Sequence, residues 1–270
     1  MYKDNEIRLL IFDIDGTLVP NKTLQVVPSA KEAIQKAKAN GFETMLATGR
    51  PYYFVLPDVI DAVKPDWIVS INGAALVDGQ YDYQIEYGFT LAETRKAMDL
   101  FKNEKITGGL KCAHELYAVY DYPGMFQKYG HGSSFFEAHI KDGTQFSVEE
   151  MFAQKPFGGF FFTLRSHQDI VNLFKDFGVA DMEGEAWDLY PKATNKMRLI
   201  EETLDMLHLT WNNVLAIGDG ENDLEMVGRA KYGVCMGNGD NSVKAVAAYV
   251  TSDINDDGVE KALRHYKVIQ

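Results

Sequence analysis

Apolar residues fall in short continuous runs, and these runs alternate with stretches of helical spacing. Ile7 to Phe12 reads I-R-L-L-I-F, the texture of a strand covered on both faces in a parallel sheet, and it stops at Asp13. Ser29 with Glu32 has the form of a capping box, Ala30, Ala33, Ile34 and Ala37 keep helical spacing, and Asn40-Gly41 supplies a stop. A helix is predicted there. Glu43 to Ala47 and Trp67 to Ile71 predict two more strands, which break at Thr48-Gly49-Arg50 and at Asn72-Gly73. Strand, helix, strand, helix, strand is the order of an α/β fold with a doubly wound parallel sheet.

After about Asp82 the chain becomes richer in aromatic residues and glycine. Thr90 with Glu93, and Ser166 with Asp169, open two helical patterns, the second continuing through Ile170, Phe174 and Phe177. Tyr117 to Asp121 and Gly159 to Leu164 read as strands. From Trp187 to Pro191 the first texture resumes, with a helix over Asn195 to His208, a strand Val214 to Ile217, a helix through Leu224, Met226 and Val227, and a strand Tyr232 to Met236. The expected organisation is a Rossmann-like core in two parts, 1–83 and 187–270, split by an inserted α+β unit over 84–186.

Composition narrows the function classes. The 270-residue chain is 46% hydrophobic, ample for a packed core, and its net charge of -12 argues against binding to nucleic acid or an anionic membrane surface. A small anionic substrate remains compatible, because a bound cation can dominate the potential inside a cleft. Cys112 and Cys235 are too far apart in sequence for a disulfide framework or a metal-ligand spacing, and Met1 to Arg8 lacks the form of a signal peptide, so a cytoplasmic protein is expected. Oligomeric state has no signature in the sequence.

Each predicted core strand ends in a polar loop, and in open parallel sheets those ends line the ligand crevice. Asp13-Ile14-Asp15-Gly16-Thr17 delivers two carboxylates two residues apart, whose mutual repulsion a cation would relieve. Alone, D-x-D-G better suits an ordinary turn with an N-cap aspartate. Gly218-Asp219-Gly220-Glu221-Asn222-Asp223 adds the hard oxygen ligands that Mg2+ prefers, or else forms a surface turn and helix cap. Thr48-Gly49-Arg50 offers a hydroxyl and backbone N–H groups of the kind that hold phosphate, and Lys196 sits early in a helix within reach of such an anion.

Taken in order, F-D-I-D-G-T-L (12–18), A-T-G-R (47–50), I-N-G-A (71–74), N-K-M (195–197), G-D-G-E-N-D (218–223), V-C-M-G-N-G (234–239) and D-D-G-V (256–259) resemble the haloacid dehalogenase superfamily of phosphatases, in particular its Cof-like branch acting on sugar phosphates. Met197 departs from the small residue usual after that lysine. The resemblance implies that Asp13 attacks phosphorus and binds Mg2+, that Asp15 acts as acid and base and offers its carbonyl to the metal, and that Asp219 is the second carboxylate ligand. Ile14, Thr48, Gly49, Lys196 and Asn222 would hold phosphate, supported by Asp223, Arg50 and Asn72. It further implies that residues 84–186 form a cap that reads the substrate, with His114, Glu115, Tyr117, Tyr122 and the Tyr129-Gly130-His131-Gly132 stretch as candidates of no assigned role. The expected activity is hydrolysis of a small phosphorylated metabolite. A phosphotransferase or phosphomutase, or a non-catalytic metabolite-binding regulator, is the alternative.

Overall fold

The computed structural model describes residues 6–20, 23–130, 132–182 and 184–270. The expectations placed on Met1 to Asn5 and on His131 lie outside them. Two compact units form, one from residues 1–48, 55–84 and 196–270, the other from 49–54 and 85–195.

The first unit is built on an eight-stranded sheet in the order Tyr249–Val250, Tyr232–Cys235, Val214–Gly218, Leu9–Phe12, Glu43–Ala47, Trp67–Ser70, Ala75–Asp78, Tyr83–Glu86. The strands from Tyr249–Val250 to Trp67–Ser70 pair in parallel, and Ala75–Asp78 turns antiparallel. Leu9, Leu10, Ile11 and Phe12 are all fully buried, which is why their run lacks the alternation of a strand with one wet face. Burying each such side chain contributes about 1.5–3 kcal/mol.

The helix expected after the first strand covers Pro28–Ala39, but the capping box at Ser29 does not form. Pro28, which has no N–H to satisfy and a φ suited to a helix start, occupies the first turn, so Val27 becomes the cap and Ser29 falls inside the helix. At Thr90 the reciprocal box is present, with Thr90 Oγ1 accepting from Glu93 N and Glu93 Oε2 accepting from Thr90 N.

The second unit holds a six-stranded sheet in the order Phe177–Asp181, Ala186–Pro191, Gly158–Phe162, Thr107–Lys111, Leu116–Tyr120, Ile140–Asp142. One face packs Phe101, Phe161, Phe174 and Trp187 into a core. Two boundaries differ from the sequence reading. Phe177 starts a strand rather than ending the helix His167–Leu173, because Phe174 already leaves helical geometry. Ala186–Pro191 pairs with Phe177–Asp181 and Gly158–Phe162, so the chain re-enters the first unit at Lys196 rather than near residue 187. Among the described residues no helix is long and apolar enough to cross a membrane.

Candidate active site

Asp13 leaves the central strand with its N–H donating to Ile217 O at 3.0 Å, which ties the first strand exit to that of Val214–Gly218. The chain then folds sharply, with Leu18 and Val19 N both donating to Ile14 O at 2.9 Å and Gly16 N to Val19 O at 2.9 Å. Gly16 takes φ +86°, and a Cβ on it would stand 2.2 Å from Asp219 Oδ2. Only glycine allows this turn to press against the neighbouring loop. Asp15 is exposed, Ile14 buried.

Asp13 and Asp223 are buried, Asp219 half-buried, and one oxygen from each lies within 4.8 Å of the others. Lys196, itself buried at the start of the helix Lys196–Met206, donates to Asp223 Oδ1 at 2.7 Å and to Asp13 Oδ1 at 3.4 Å. Met197 beside it is also buried, packed into the first turn of that helix. Asp223 Oδ2 accepts from Asp219 N at 3.1 Å and Gly220 N at 3.3 Å. Both oxygens of Asp223 are therefore committed within the protein, making it a brace for the loop and the lysine. Asp219 Oδ1 accepts from the Thr17 hydroxyl at 2.8 Å.

Electrostatics follow from this crowding. Burial, and then the neighbouring Asp223, hold the Asp13 carboxyl well above the usual range, with Lys196 opposing. Asp219 is pushed up to about 6 by burial, against the Thr17 hydrogen bond. Lys196 is raised although burial works the other way, because Asp223 and Asp13 together outweigh it. Three carboxylates, two of them buried, lie beside one ammonium, an imbalance that a divalent cation would correct. The donors are all hard oxygens, which fits an oxygen-seeking divalent cation of the Mg2+, Ca2+ or Mn2+ kind and not a thiolate-seeking metal.

The remaining core candidates are placed as follows. Thr48 is buried, its N–H on Val69 O at 2.9 Å and its carbonyl accepting from Asn72 N at 3.2 Å. Asn72 sits in the left-handed region at φ 52°. Asn222 is exposed in the turn Glu221–Asp223. Gly49 and Arg50 group with the second unit, where Lys111 Nζ donates to Gly49 O at 3.0 Å and to Asp188 Oδ1 at 2.5 Å. Burial lowers Lys111, and the Asp188 carboxylate opposes that shift. Arg50 Nη1 donates to Phe54 O at 3.2 Å.

Also in the second unit, His114 Nδ1 meets the Tyr52 hydroxyl at 3.1 Å, and Glu115 Oε2 meets His139 at 3.1 Å. Tyr117 packs on the core with its hydroxyl donating to Gln154 at 3.2 Å, and Tyr122 stacks edge-on with Phe126. Sequence reasoning assigned no role to Thr17 or Asn238, although both stand in the quoted motifs. Thr17 lies two residues beyond Asp15, the spacing that had linked Asp13 to Asp15, so that signal was available.

The family model of the haloacid dehalogenase-like hydrolases matches residues 10–263. The chain is similar to the 5-amino-6-(5-phospho-D-ribitylamino)uracil phosphatase YcsE of Bacillus subtilis, 24% identical over 98% of this chain and 97% of that one. It is 28% identical to the pyridoxal phosphate phosphatase YbhA of Escherichia coli over 93% of this chain and 96% of that one. Among solved structures, the phosphatase BT1666 of Bacteroides thetaiotaomicron superposes with a TM-score of 0.81 at 27% identity, covering 97% and 96% of the two chains. The subclass IIB sugar phosphatase BT4131 gives 0.81 at 26%, covering 97% and 100%.

Proposed function

Because the chain belongs to the haloacid dehalogenase-like hydrolases, we propose that it is a Mg2+-dependent phosphomonoester hydrolase acting on a small phosphorylated metabolite, sugar phosphates above all, through a phosphoryl group carried on Asp13. The observation that carries this reading is the cluster of Asp13, Asp219 and Asp223, with one oxygen from each within 4.8 Å of the others, beside the buried Lys196. Relatives named as phosphatases of a ribityl phosphate and of pyridoxal phosphate support a small phosphorylated substrate.

Asp13 and Asp219, with the Asp15 carbonyl, are the residues to hold Mg2+, which when bound would keep Asp13 ionised and offset negative charge on the phosphoryl oxygens. A carboxylate oxygen of Asp13 forms a bond to phosphorus as the ester oxygen departs, and the Asp15 carboxyl gives that oxygen its proton. In the second half Asp15, now ionised, takes a proton from a water whose oxygen attacks phosphorus. The bond to Asp13 breaks and inorganic phosphate is freed. Lys196, Thr48, the backbone of Ile14 and Gly49, and Asn222 hold the phosphoryl oxygens in line, which is most of what phosphoryl transfer asks of a protein. Arg50 and Asn72 support the loops that carry these groups, and residues 84–186 would read the rest of the substrate.

The test is phosphate release from a panel of phosphorylated sugars, nucleotides and cofactors with Mg2+ present, for the native chain and for Asp13→Asn. The amide keeps the volume and loses the nucleophile, so a folded variant should have lost turnover. A folded Asp13→Asn protein that retains near-native turnover removes the covalent route.

A further inference from the structure

Asn238 lies in the loop after the strand Tyr232–Cys235, 222 residues from the turn it touches. Its Nδ2 donates to Gly16 O at 2.8 Å, and its Oδ1 accepts from Ile254 N at 2.9 Å. One amide thus spans two other loops with its donor and acceptor each satisfied. The same loop supplies Asp240 N, which donates to Asp219 O at 2.8 Å.

The contact with Gly16 falls at a critical peptide. Gly16 follows Asp15 directly, sits at φ +86°, and is held on its N–H side by Val19 O. Thr17, on the other side of that carbonyl, is held by Asp219. A glycine in the left-handed region has wide backbone freedom, so a carbonyl without a donor could swing and take the preceding residue with it. The Asn238 amide is the side-chain donor on that carbonyl. Asn238 is itself exposed, so truncating it removes two hydrogen bonds with little loss of packing.

We infer that Asn238 is a positioning residue for the proton-transfer step: by fixing the Gly16 carbonyl it fixes the turn that aims the Asp15 carboxyl at the ester oxygen. This rests on the assignment of Asp15 as acid and base above. Displacement of a reacting group by about 1 Å costs on the order of 100-fold in rate, so a loosened turn slows those substrates that need the proton.

Asn238→Ala is compared with the native chain and with Asp15→Ala, at saturating Mg2+, on p-nitrophenyl phosphate and on the best alkyl phosphate of the panel. The aryl oxygen leaves with little help. For Asn238→Ala, kcat on the alkyl ester should fall about 10- to 100-fold while the aryl ester changes by less than about 3-fold, a smaller copy of the Asp15→Ala pattern. At saturating Mg2+ this difference between the esters should persist, and the thermal midpoint should fall by no more than a few degrees, as the loss of two hydrogen bonds allows. Equal slowing on both esters, or no slowing on either, overturns the inference. Should Asn238→Ala fail to fold, Asn238→Asp keeps the acceptor for Ile254 N and sets a repelling carboxylate oxygen against the Gly16 carbonyl in place of the donor, so the alkyl ester should again be slowed more than the aryl ester. If Asp15→Ala itself shows no dependence on the leaving group, it is the acid–base reading that fails; if Asp15→Ala shows it and Asn238→Ala does not, only the role of Asn238 falls.

Discussion

Lys196 stands closer to Asp223 than to Asp13: its Nζ is 2.7 Å from the Asp223 carboxylate and 3.4 Å from that of Asp13, with all three side chains buried. Removing one partner of such a buried pair strands a charge, which costs about 3–5 kcal/mol. Lys196→Met should lower stability by about that much in urea unfolding at neutral pH without metal. Adding Asp223→Asn should restore part of the loss, because the amide needs no counter-charge and still offers an acceptor to Asp219 N. A double variant no more stable than Lys196→Met would show that the pair does not carry the effect.

Gly16→Ala tests the contact between the first and last acidic loops. The new methyl meets Asp219 Oδ2 at 2.2 Å in a backbone region unfavourable to alanine. Turnover should fall by on the order of 100-fold, with weaker Mg2+ activation, since a carboxylate is pushed out of line. Gly132→Ala is the control. Gly132 also has positive φ, +72°, but a Cβ there meets nothing within 4 Å, so only the backbone strain of about 1–2 kcal/mol remains and turnover should not change.

Protons and metal compete for the same oxygens. With Asp219 pushed up to about 6 and Asp13 also raised, the metal-free folded protein binds more protons than the unfolded chain from the ordinary carboxylate range up to that value. Its stability should therefore fall as pH rises through about 6, since ∂ΔG/∂pH is negative where the native state holds the extra protons. Mg2+ should reverse this by replacing them, so the rise in thermal midpoint on adding Mg2+ should be larger at pH 7.5 than at pH 5.5. Differential scanning calorimetry at the two pH values checks it; an equal Mg2+ effect at both would contradict the link.

Cys112 and Cys235 are both buried, and burial pushes both thiols up, Cys235 to about 11. Thiolates are the reactive form, so neither should react quickly with a disulfide reagent in the native protein. Both should be counted on unfolding in denaturant. Rapid native labelling of one thiol would mean that its surroundings open far more readily than their packing implies.

Much of the architecture was legible because it is local. Fully apolar runs such as Leu9–Phe12 and Val214–Gly218 state their own burial, and the acidic residues follow where those runs stop. The parallel order of strands then brings Asp13 and Asp219 together even though they are far apart in the chain. What escaped were choices made by competition or at a distance. Ser29 had the form of a cap, yet Pro28 started the helix first. Ala186–Pro191 has the texture of a core strand and pairs instead in the second sheet, since pairing partners are not written in a strand's own residues. The hydrogen bonds from Thr17 to Asp219 and from Asn238 to Gly16 span 202 and 222 residues: spacing from Asp15 marks Thr17 but not its partner, and no pattern of neighbours marks Asn238.

The split of the first unit has a consequence for how the chain is made. Leu9–Phe12 pairs on one side with Glu43–Ala47, but on the other with Val214–Gly218, which is synthesised more than 200 residues later. At about 5–20 residues per second a ribosome needs roughly 10–40 s to cover that interval. The second unit, complete by residue 195, is able to close on itself while the central sheet still waits for its middle partner. During that interval the strand that leads into Asp13 has an open edge and uncovered apolar faces, so the stretch of chain most prone to wrong pairing is the one that ends at the nucleophile.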